Sequence, residues 1–271
     1  MDYYSISAEK LGENSKIPII KLVEQGEVFY ELALEMLSVI EANNAKQRHT
    51  VMIVPVGPTG QFPVFVRLVN KRRISLKKCW FIMMDEYLND NEQWIPTSNP
   101  LSFRRHMNLE VYSKIDDELI MPESQRICPD PNNINYIPKL IEDLGGVDLC
   151  IAGFGINGHI GYNEPQPELS VDEFASLKTR VVDVSTASRI RYAISDLNGA
   201  ADALPNRIVT LGMWEMLNAR VMRVGCFRDW HSGVLRKAAY GEVSAEFPGT
   251  LVQNHPDALI YASANVVKQP I

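Results

Sequence analysis

The sequence predicts an α/β fold: an open, mostly parallel, doubly wound sheet with an inserted lid. Short runs of apolar, often β-branched residues predict buried parallel strands at residues 49–57, 79–84 and 147–153. Two stretches with apolar residues at helical spacing, 27–41 and 136–144, predict helices that precede the first and the third of these strands. Strands that alternate with helices favour a parallel sheet covered on both faces.

The remainder of the chain repeats this pattern less regularly. Further strands are predicted at residues 207–211, 221–226 and 258–263, and further helices at residues 62–70 and 232–240. The polar stretches 88–100 and 165–179 follow no periodic pattern, and long loops inside a compact domain are usually lids or binding loops. We therefore expect a single domain over residues 1–271, with a lid segment at about 165–200.

The composition is typical of a soluble globular protein, with 46% hydrophobic and 22% charged residues. The formal net charge is −6 and both signs are mixed along the chain, so no nucleic-acid partner is expected. No apolar run reaches the roughly 18 residues that a membrane span needs, so no membrane partner is expected either. Four scattered cysteines lack metal or redox spacing and indicate free thiols in a reducing cytoplasm.

Three polar turns follow predicted strands, at residues 57–60, 84–87 and 155–165. In open α/β sheets, ligands bind beyond the carboxyl ends of the strands, so these turns are expected to meet at one site. Thr59 offers a hydroxyl donor, and glycines allow backbone amides to approach an anion or a sugar hydroxyl. The candidate glycines are Gly57, Gly60 and Gly158. A tight strand-to-helix turn explains the first of these loops equally well.

Asp85 is the first candidate for acid–base chemistry. It follows a run of apolar residues, where partial burial would raise the proton affinity of a carboxylate enough for general-base work. A helix N-cap or an ordinary loop carboxylate is the commoner role for such a residue. Its neighbour Glu86 is a candidate substrate contact, or else the partner of a basic side chain.

A second candidate group is Asn157, His159 and Glu164, which lie close together in a glycine-rich turn. A histidine that is oriented by a carboxylate carries protons near neutral pH. A histidine held by ordinary loop hydrogen bonds is an equally good interpretation of the residues alone. No metal site is expected, because no second His or Cys lies at ligand spacing.

The segments 84–87 and 155–165 resemble the signatures of the glucosamine-6-phosphate deaminases, also called glucosamine-6-phosphate isomerases. The ending Asn-Glu-Pro at residues 163–165 distinguishes these enzymes from the 6-phosphogluconolactonases, which share the fold and a similar Gly-His turn. The resemblance covers most of the chain and includes the turn at residues 57–59. It implies a Rossmann-like fold of the deaminase type.

The resemblance also implies an activity that requires neither cofactor nor metal. An amino-sugar phosphate is converted from aldose to ketose with release of ammonia, so the expected partner is a small sugar or sugar phosphate. Asp85 takes the place of the base that moves the proton at C2. His159 takes the place of the group that handles the ring-opening proton, with Glu164 orienting it and Asn157 beside it. Many members have Asp at the position of Asn157, and a large branch has Asn.

The chain departs from the resembled family at the phosphate anchors. His231 stands where a Lys is expected, and Ile194 stands where an Arg is expected. Losing such contacts weakens binding, so we expect poor affinity for glucosamine 6-phosphate unless other cations substitute. The candidate substitutes are Arg104, Arg105, Arg189, Arg191 and Arg228, with Trp214 and Trp230 as residues that could stack on a sugar.

Two further residues complete the set of candidate substrate contacts, namely His231 itself and Arg180. Arg180 is the one counterpart of the residues with which some members bind an acetylated amino-sugar effector, so no regulation of that kind is expected. Two other functions stay open at this point. One is an enzyme on the same scaffold, either a paralogue that acts on a non-phosphorylated or different sugar or a sugar lactonase, and the other is a sugar-binding relative without turnover. A homo-oligomer is also compatible with the sequence.

Overall fold

A computed structural model describes residues 2–271 and contains ten strands and nine α-helices in that range. The strands are Ile19–Leu22 (β1), Thr50–Val54 (β2), Cys79–Met83 (β3), Asp85–Leu88 (β4), Arg126–Ile127 (β5), Leu149–Ala152 (β6), Arg180–Asp183 (β7), Arg207–Thr210 (β8), Val221–Cys226 (β9) and Ala258–Ser263 (β10). The helices are Gln25–Ala45 (α1), Gln61–Arg72 (α2), Phe103–Glu110 (α3), Tyr136–Asp143 (α4), Val171–Ala175 (α5), Thr186–Ser195 (α6), Met213–Leu217 (α7), His231–Tyr240 (α8) and Ala264–Val267 (α9).

Seven strands form one parallel sheet in the order β1-β10-β9-β6-β2-β3-β5. From β2 the chain builds outward through β3 to β5, then returns to β6 on the other side of β2 and builds outward through β9 to β10. The direction of winding therefore reverses between β2 and β6. The predicted fold class, an open and mostly parallel α/β sheet, is confirmed.

The central strand β2 is buried along its whole length. Val51 and Ile53 pack in the cluster that includes residues of α4 and α8. Met52 and Val54 pack in the cluster that includes residues of α1 and α2. Successive side chains of a strand point to opposite faces, so this alternation places apolar helices on both sides of the sheet.

A second sheet of three antiparallel strands, in the order β4-β8-β7, adjoins the carboxyl end of the first. The strand predicted at residues 207–211 is present as β8, but it belongs to this second sheet. Met84 joins the two sheets, because its N–H donates to the carbonyl of Val54 at 3.0 Å and its carbonyl accepts from the N–H of Leu211 at 2.8 Å. The chain then continues directly into β4 with Asp85.

The segment predicted to be a lid, residues 165–200, contains α5, β7 and α6. The expectation that residues 165–179 lack regular structure is therefore wrong for α5. This helix has five residues, too few for an apolar periodicity, and it is defined instead by a capping box between Ser170 and Glu173. Within the part of the chain described here, no helix is both long and apolar enough to cross a membrane.

Candidate active site

A cavity of about 320 Å³ lies beyond the carboxyl ends of the central strands, where the winding of the sheet reverses. Its wall includes residues that follow β2, β3, β6 and β9, and residues of α6. Among these residues are Gly57, Thr59, Gly60, Asp85, Gly155, His159, Tyr162, Arg191, Tyr192, Asp196, Arg228, Trp230 and His231. The three predicted polar turns thus meet at one cavity.

The turn that follows β2 brings Gly57, Thr59 and Gly60 to the cavity wall, immediately before α2. A Cβ atom on Gly60 would lie 2.2 Å from the ring of Phe29, so only glycine fits this close approach to α1. The N-terminus of a helix favours anions, because its backbone N–H groups and its dipole both present positive charge. This side of the cavity is suited to an anionic group.

Asp85 lies in the cavity wall and only 5% of its surface is exposed. Its carboxyl group forms no hydrogen bond to another group within residues 2–271, and the carboxylate of Glu86 lies nearby. Burial, with a smaller contribution from the Glu86 charge, raises the pKa of Asp85 to about 8. A carboxyl group with this pKa can take up and release a proton near neutral pH.

The second candidate group forms a chain of hydrogen bonds behind the cavity wall. The Nδ1 atom of His159 lies 2.7 Å from Oδ1 of Asn157, and Nδ2 of Asn157 donates to Oε2 of Glu164 at 2.5 Å. Because the carboxylate of Glu164 can only accept, it fixes the Asn157 amide so that Oδ1 faces the imidazole. His159 therefore carries its proton on Nδ1, and its Nε2 has no hydrogen-bond partner elsewhere in residues 2–271.

Ser188 of α6 completes this group and was missed in the sequence. Its Oγ donates to Oε1 of Glu164 at 2.5 Å and lies 3.3 Å from Nδ1 of His159. Burial alone would raise the pKa of Glu164, but hydrogen bonds and charge from His159, with hydrogen bonds from Ser188 and Asn157, lower it to about 2. Glu164 is consequently a permanent anion 3.3 Å from Nδ1 of His159.

Glu86 is not in the cavity wall, contrary to its prediction as a substrate contact. Its side chain is fully buried and accepts hydrogen bonds from the hydroxyl of Ser102 and from the backbone N–H groups of Phe103 and Arg104. Nε of Arg104 also donates to it at 3.1 Å. Glu86 therefore holds the N-terminus of α3, where a negative charge is favourable.

Gly158 and Arg180 also lie outside the cavity wall. Gly158 has a φ of +81°, and its N–H donates to the carbonyl of Gly155 at 2.9 Å, so it shapes the turn that carries His159. Nη1 of Arg180 donates to Oδ1 of Asn163 at 2.7 Å. The structure thus places both residues in support of the turn, and not in contact with the cavity.

His231 does reach the cavity, but as a neutral ring. Its Nδ1 accepts from the N–H groups of Phe227 at 2.9 Å and Arg228 at 3.1 Å, and its Nε2 donates to the carbonyl of Phe154 at 3.1 Å. Burial lowers the pKa of His231 to about 3, which the hydrogen bond to Phe154 opposes and the nearby charges of Arg228 and Arg191 reinforce. His231 therefore supplies no positive charge for a phosphate.

Two of the candidate substitute cations, Arg191 and Arg228, lie in the cavity wall. The other three are committed elsewhere: Arg104 to Glu86, Arg105 to the carbonyl of Thr97, and Arg189 to the carbonyls of Ala201, Leu204 and Pro205. Ile194 is 77% exposed and outside the wall, and of the two tryptophans only Trp230 lines the cavity. No three His, Cys, Asp or Glu side chains of residues 2–271 cluster closely enough to hold a metal ion.

A doubly wound α/β sheet with acid–base groups at its reversal point defines the class to which this structure belongs. Within that class, the sequence is similar to those of glucosamine-6-phosphate deaminases. The deaminase of Clostridium perfringens is 26% identical over 218 residues, which cover 78% of this chain and 83% of the relative. Glucosamine-6-phosphate deaminase 1 of Bacillus subtilis is 24% identical over 240 residues, or 85% of this chain and 92% of the relative. No family model matches the sequence.

Solved structures have the same fold. A monomeric glucosamine-6-phosphate deaminase superimposes with a TM-score of 0.79 at 21% identity, over 92% of this chain and 98% of that chain. The 6-phosphogluconolactonase of Trypanosoma cruzi superimposes with a TM-score of 0.64 at 15% identity, over 92% of this chain and 94% of that chain. The predicted resemblance to the glucosamine-6-phosphate deaminases, with the lactonases as relatives of the fold, is confirmed.

The buried carboxyl of Asp85 predicts a pH-dependent effect on stability. Between about pH 4 and its folded pKa of about 8, the folded protein keeps a proton that the unfolded chain has lost, so stability decreases as pH rises through this range. The Asp85→Asn variant has no such titration. We expect its melting temperature, relative to that of the unsubstituted protein, to increase between about pH 5 and about pH 8 in calorimetry. A difference that is constant with pH would contradict the assigned pKa.

Proposed function

We propose that this protein opens the ring of an amino-sugar phosphate, isomerises the aldose to a ketose and releases ammonia. The observation that carries the proposal is a pair of proton carriers in one cavity, the carboxyl of Asp85 and Nε2 of His159, neither of which has a hydrogen-bond partner within residues 2–271. The similarity to glucosamine-6-phosphate deaminases of Clostridium perfringens and Bacillus subtilis supports the same reaction.

Ring opening falls to His159. Its Nε2 accepts the proton of the C1 hydroxyl and delivers it to the ring oxygen, which breaks the C1–O5 bond and yields the open aldehyde. The imidazolium formed during this transfer is stabilised by the anion of Glu164, 3.3 Å from Nδ1. Asn157 keeps the ring oriented throughout, because its amide is hydrogen-bonded on both sides.

The isomerisation falls to Asp85. The ionised carboxylate removes the proton from C2, the electron pair forms a C1–C2 double bond, and O1 takes up a proton from water to give an enolamine. Asp85 then returns its proton to C1, and water hydrolyses the resulting C2 iminium to the ketose and ammonia. A pKa of about 8 suits this exchange, because the carboxylate is basic enough to accept the proton and acidic enough to return it.

This chemistry is balanced without an external oxidant or reductant, since C2 is oxidised as C1 is reduced. We therefore assign the protein to the cofactor-independent isomerases that also hydrolyse a C–N bond. The negative charge that develops on O1 is neutralised by the proton that O1 takes up.

The phosphate of the substrate fits the side of the cavity formed by the turn before α2. The N-terminus of α2 and the hydroxyl of Thr59 provide donors there, and Arg191 and Arg228 provide positive charge in the same cavity. His231 takes no part in neutralising the phosphate, because its ring is neutral and both of its nitrogens are bonded to the backbone. The cations of this chain thus differ from those that the resemblance implied.

Release of ammonia from glucosamine 6-phosphate tests the proposed reaction. We expect turnover by the unsubstituted protein and a loss of about 10²-fold to 10⁴-fold in Asp85→Asn, since an amide cannot accept the C2 proton. Asp90→Asn is the matched control: Asp90 is exposed, outside the cavity wall, and its replacement removes the same charge. Hydrolysis of a 6-phosphogluconolactone without ammonia from any amino sugar would instead assign the protein to the lactonases.

Ser188 offers a second test, directed at the histidine. Removing its hydroxyl in Ser188→Ala deletes a hydrogen bond to the charged Glu164 carboxylate, which is worth about 1.5–3 kcal/mol, and loosens the group that orients His159. We expect kcat for ammonia release to fall about tenfold or more. Ser195→Ala, an exposed position on the same helix, should leave kcat unchanged. Equal kcat values in both variants would show that Ser188 does not help to orient His159.

A further inference from the structure

Arg191 and Arg228 do not face the cavity as independent cations, because one carboxylate binds both of them. Oδ1 of Asp196 accepts from Nη2 of Arg228 at 2.8 Å, and Oδ2 of Asp196 accepts from Nη1 of Arg191. All three residues lie in the wall of the same cavity. Each oxygen of the carboxylate therefore occupies a guanidinium that the phosphate of a substrate would use.

The position of Asp196 is unfavourable apart from these two ion pairs. Asp196 directly follows the last residue of α6 and caps its C-terminus, where the helix dipole disfavours a negative charge. Its side chain is 34% exposed, as is that of Arg228, so neither is locked by burial. The carboxylate of Asp196 can consequently move away from the two guanidinium groups when a stronger anion binds to them.

Arg191 is held in the cavity wall by other contacts as well. Its side chain is only 12% exposed, and its guanidinium lies 3.5 Å from the centre of the Tyr192 ring. That ring in turn stacks on the ring of Tyr162 at 6.4 Å, with an angle of 6° between the planes. Arg191 is therefore held beside the cavity by stacking and burial as well as by its ion pair with Asp196.

We propose that Asp196 acts as an internal competitor, whose carboxylate must be displaced from Arg191 and Arg228 before the anionic group of a substrate can bind there. This inference rests on the proposed function, since it concerns the phosphate end of the same cavity. A phosphate monoester carries a charge of about −2 near neutral pH and offers three oxygens, so it can displace a carboxylate of charge −1. A neutral sugar cannot.

Competition of this kind changes the reason for the expected weak binding of glucosamine 6-phosphate. The sequence suggested that cations are missing at the positions of His231 and Ile194. The structure has two arginines in the cavity, and Asp196 offsets part of their charge. The affinity for anions is then limited by a carboxylate that is present, and not by a cation that is absent.

Calorimetric titration with inorganic phosphate tests the competition directly. We expect Asp196→Asn to lower the dissociation constant for phosphate about tenfold or more relative to the unsubstituted protein, because the neutral amide no longer neutralises the guanidiniums. Asp202→Asn is the matched control, since it removes the same charge from an exposed position outside the cavity wall, and it should leave the constant unchanged. A second replacement, Asp196→Ser, should reproduce the tighter binding.

Unchanged or weaker phosphate binding in both Asp196 variants would overturn the competition, as would equal tightening in Asp202→Asn, which would indicate a general effect of net charge. Melting temperatures of the variants show that each is folded before it is titrated. The titration involves no turnover, so its outcome is independent of the proposed reaction. Tighter phosphate binding by Asp196→Asn, combined with no ammonia release by the unsubstituted protein, would uphold the competition and reject the deaminase.

Discussion

The chemistry proposed for this protein depends on the burial of one carboxyl group, that of Asp85, without a hydrogen-bond partner within residues 2–271. Backbone bonds from Met84 to Val54 and from Leu211 to Met84 fix the chain where the parallel sheet passes into the antiparallel one. Asp85 follows directly and is carried into the cavity at the point where the winding reverses. Removing this carboxyl from water raises its pKa, which makes the carboxylate an effective base.

The two carboxyl groups of the site lie in different environments, which give them different roles. Asp85 is buried beside the charge of Glu86, so its pKa rises to about 8. Glu164 accepts hydrogen bonds from Asn157 and Ser188 and lies beside His159, so its pKa falls to about 2. A pair of acidic groups whose pKa values are pushed apart in this way is typical of acid–base enzymes. One moves protons, while the other stays charged and orients the imidazole.

Local patterns in the sequence are sufficient to predict part of the fold and part of the candidate site. The strands near Thr50–Val54 and Leu149–Ala152 were predicted because buried runs and glycine turns are local signals. Ser188 was missed, since its role depends on α6 folding back over a residue far away in the sequence. For Glu86 the sequence left two roles open, a substrate contact or the partner of a basic side chain, and the pairing with Arg104 in α3 decides for the second. The pairing of Arg228 with Asp196 joins two separate elements and could not be predicted. Such tertiary contacts leave no periodic trace.

The hydrogen at C2 of the substrate gives the most direct test of the proposed role of Asp85. Glucosamine 6-phosphate labelled with deuterium at C2 would be incubated with the protein and followed by NMR. The unsubstituted protein should remove the deuterium from C2 as ketose and ammonia appear, and Asp85→Asn should leave it in place, because the amide at position 85 cannot accept it. Removal of the label by Asp85→Asn at the normal rate would contradict the role of Asp85 as the base that moves this proton.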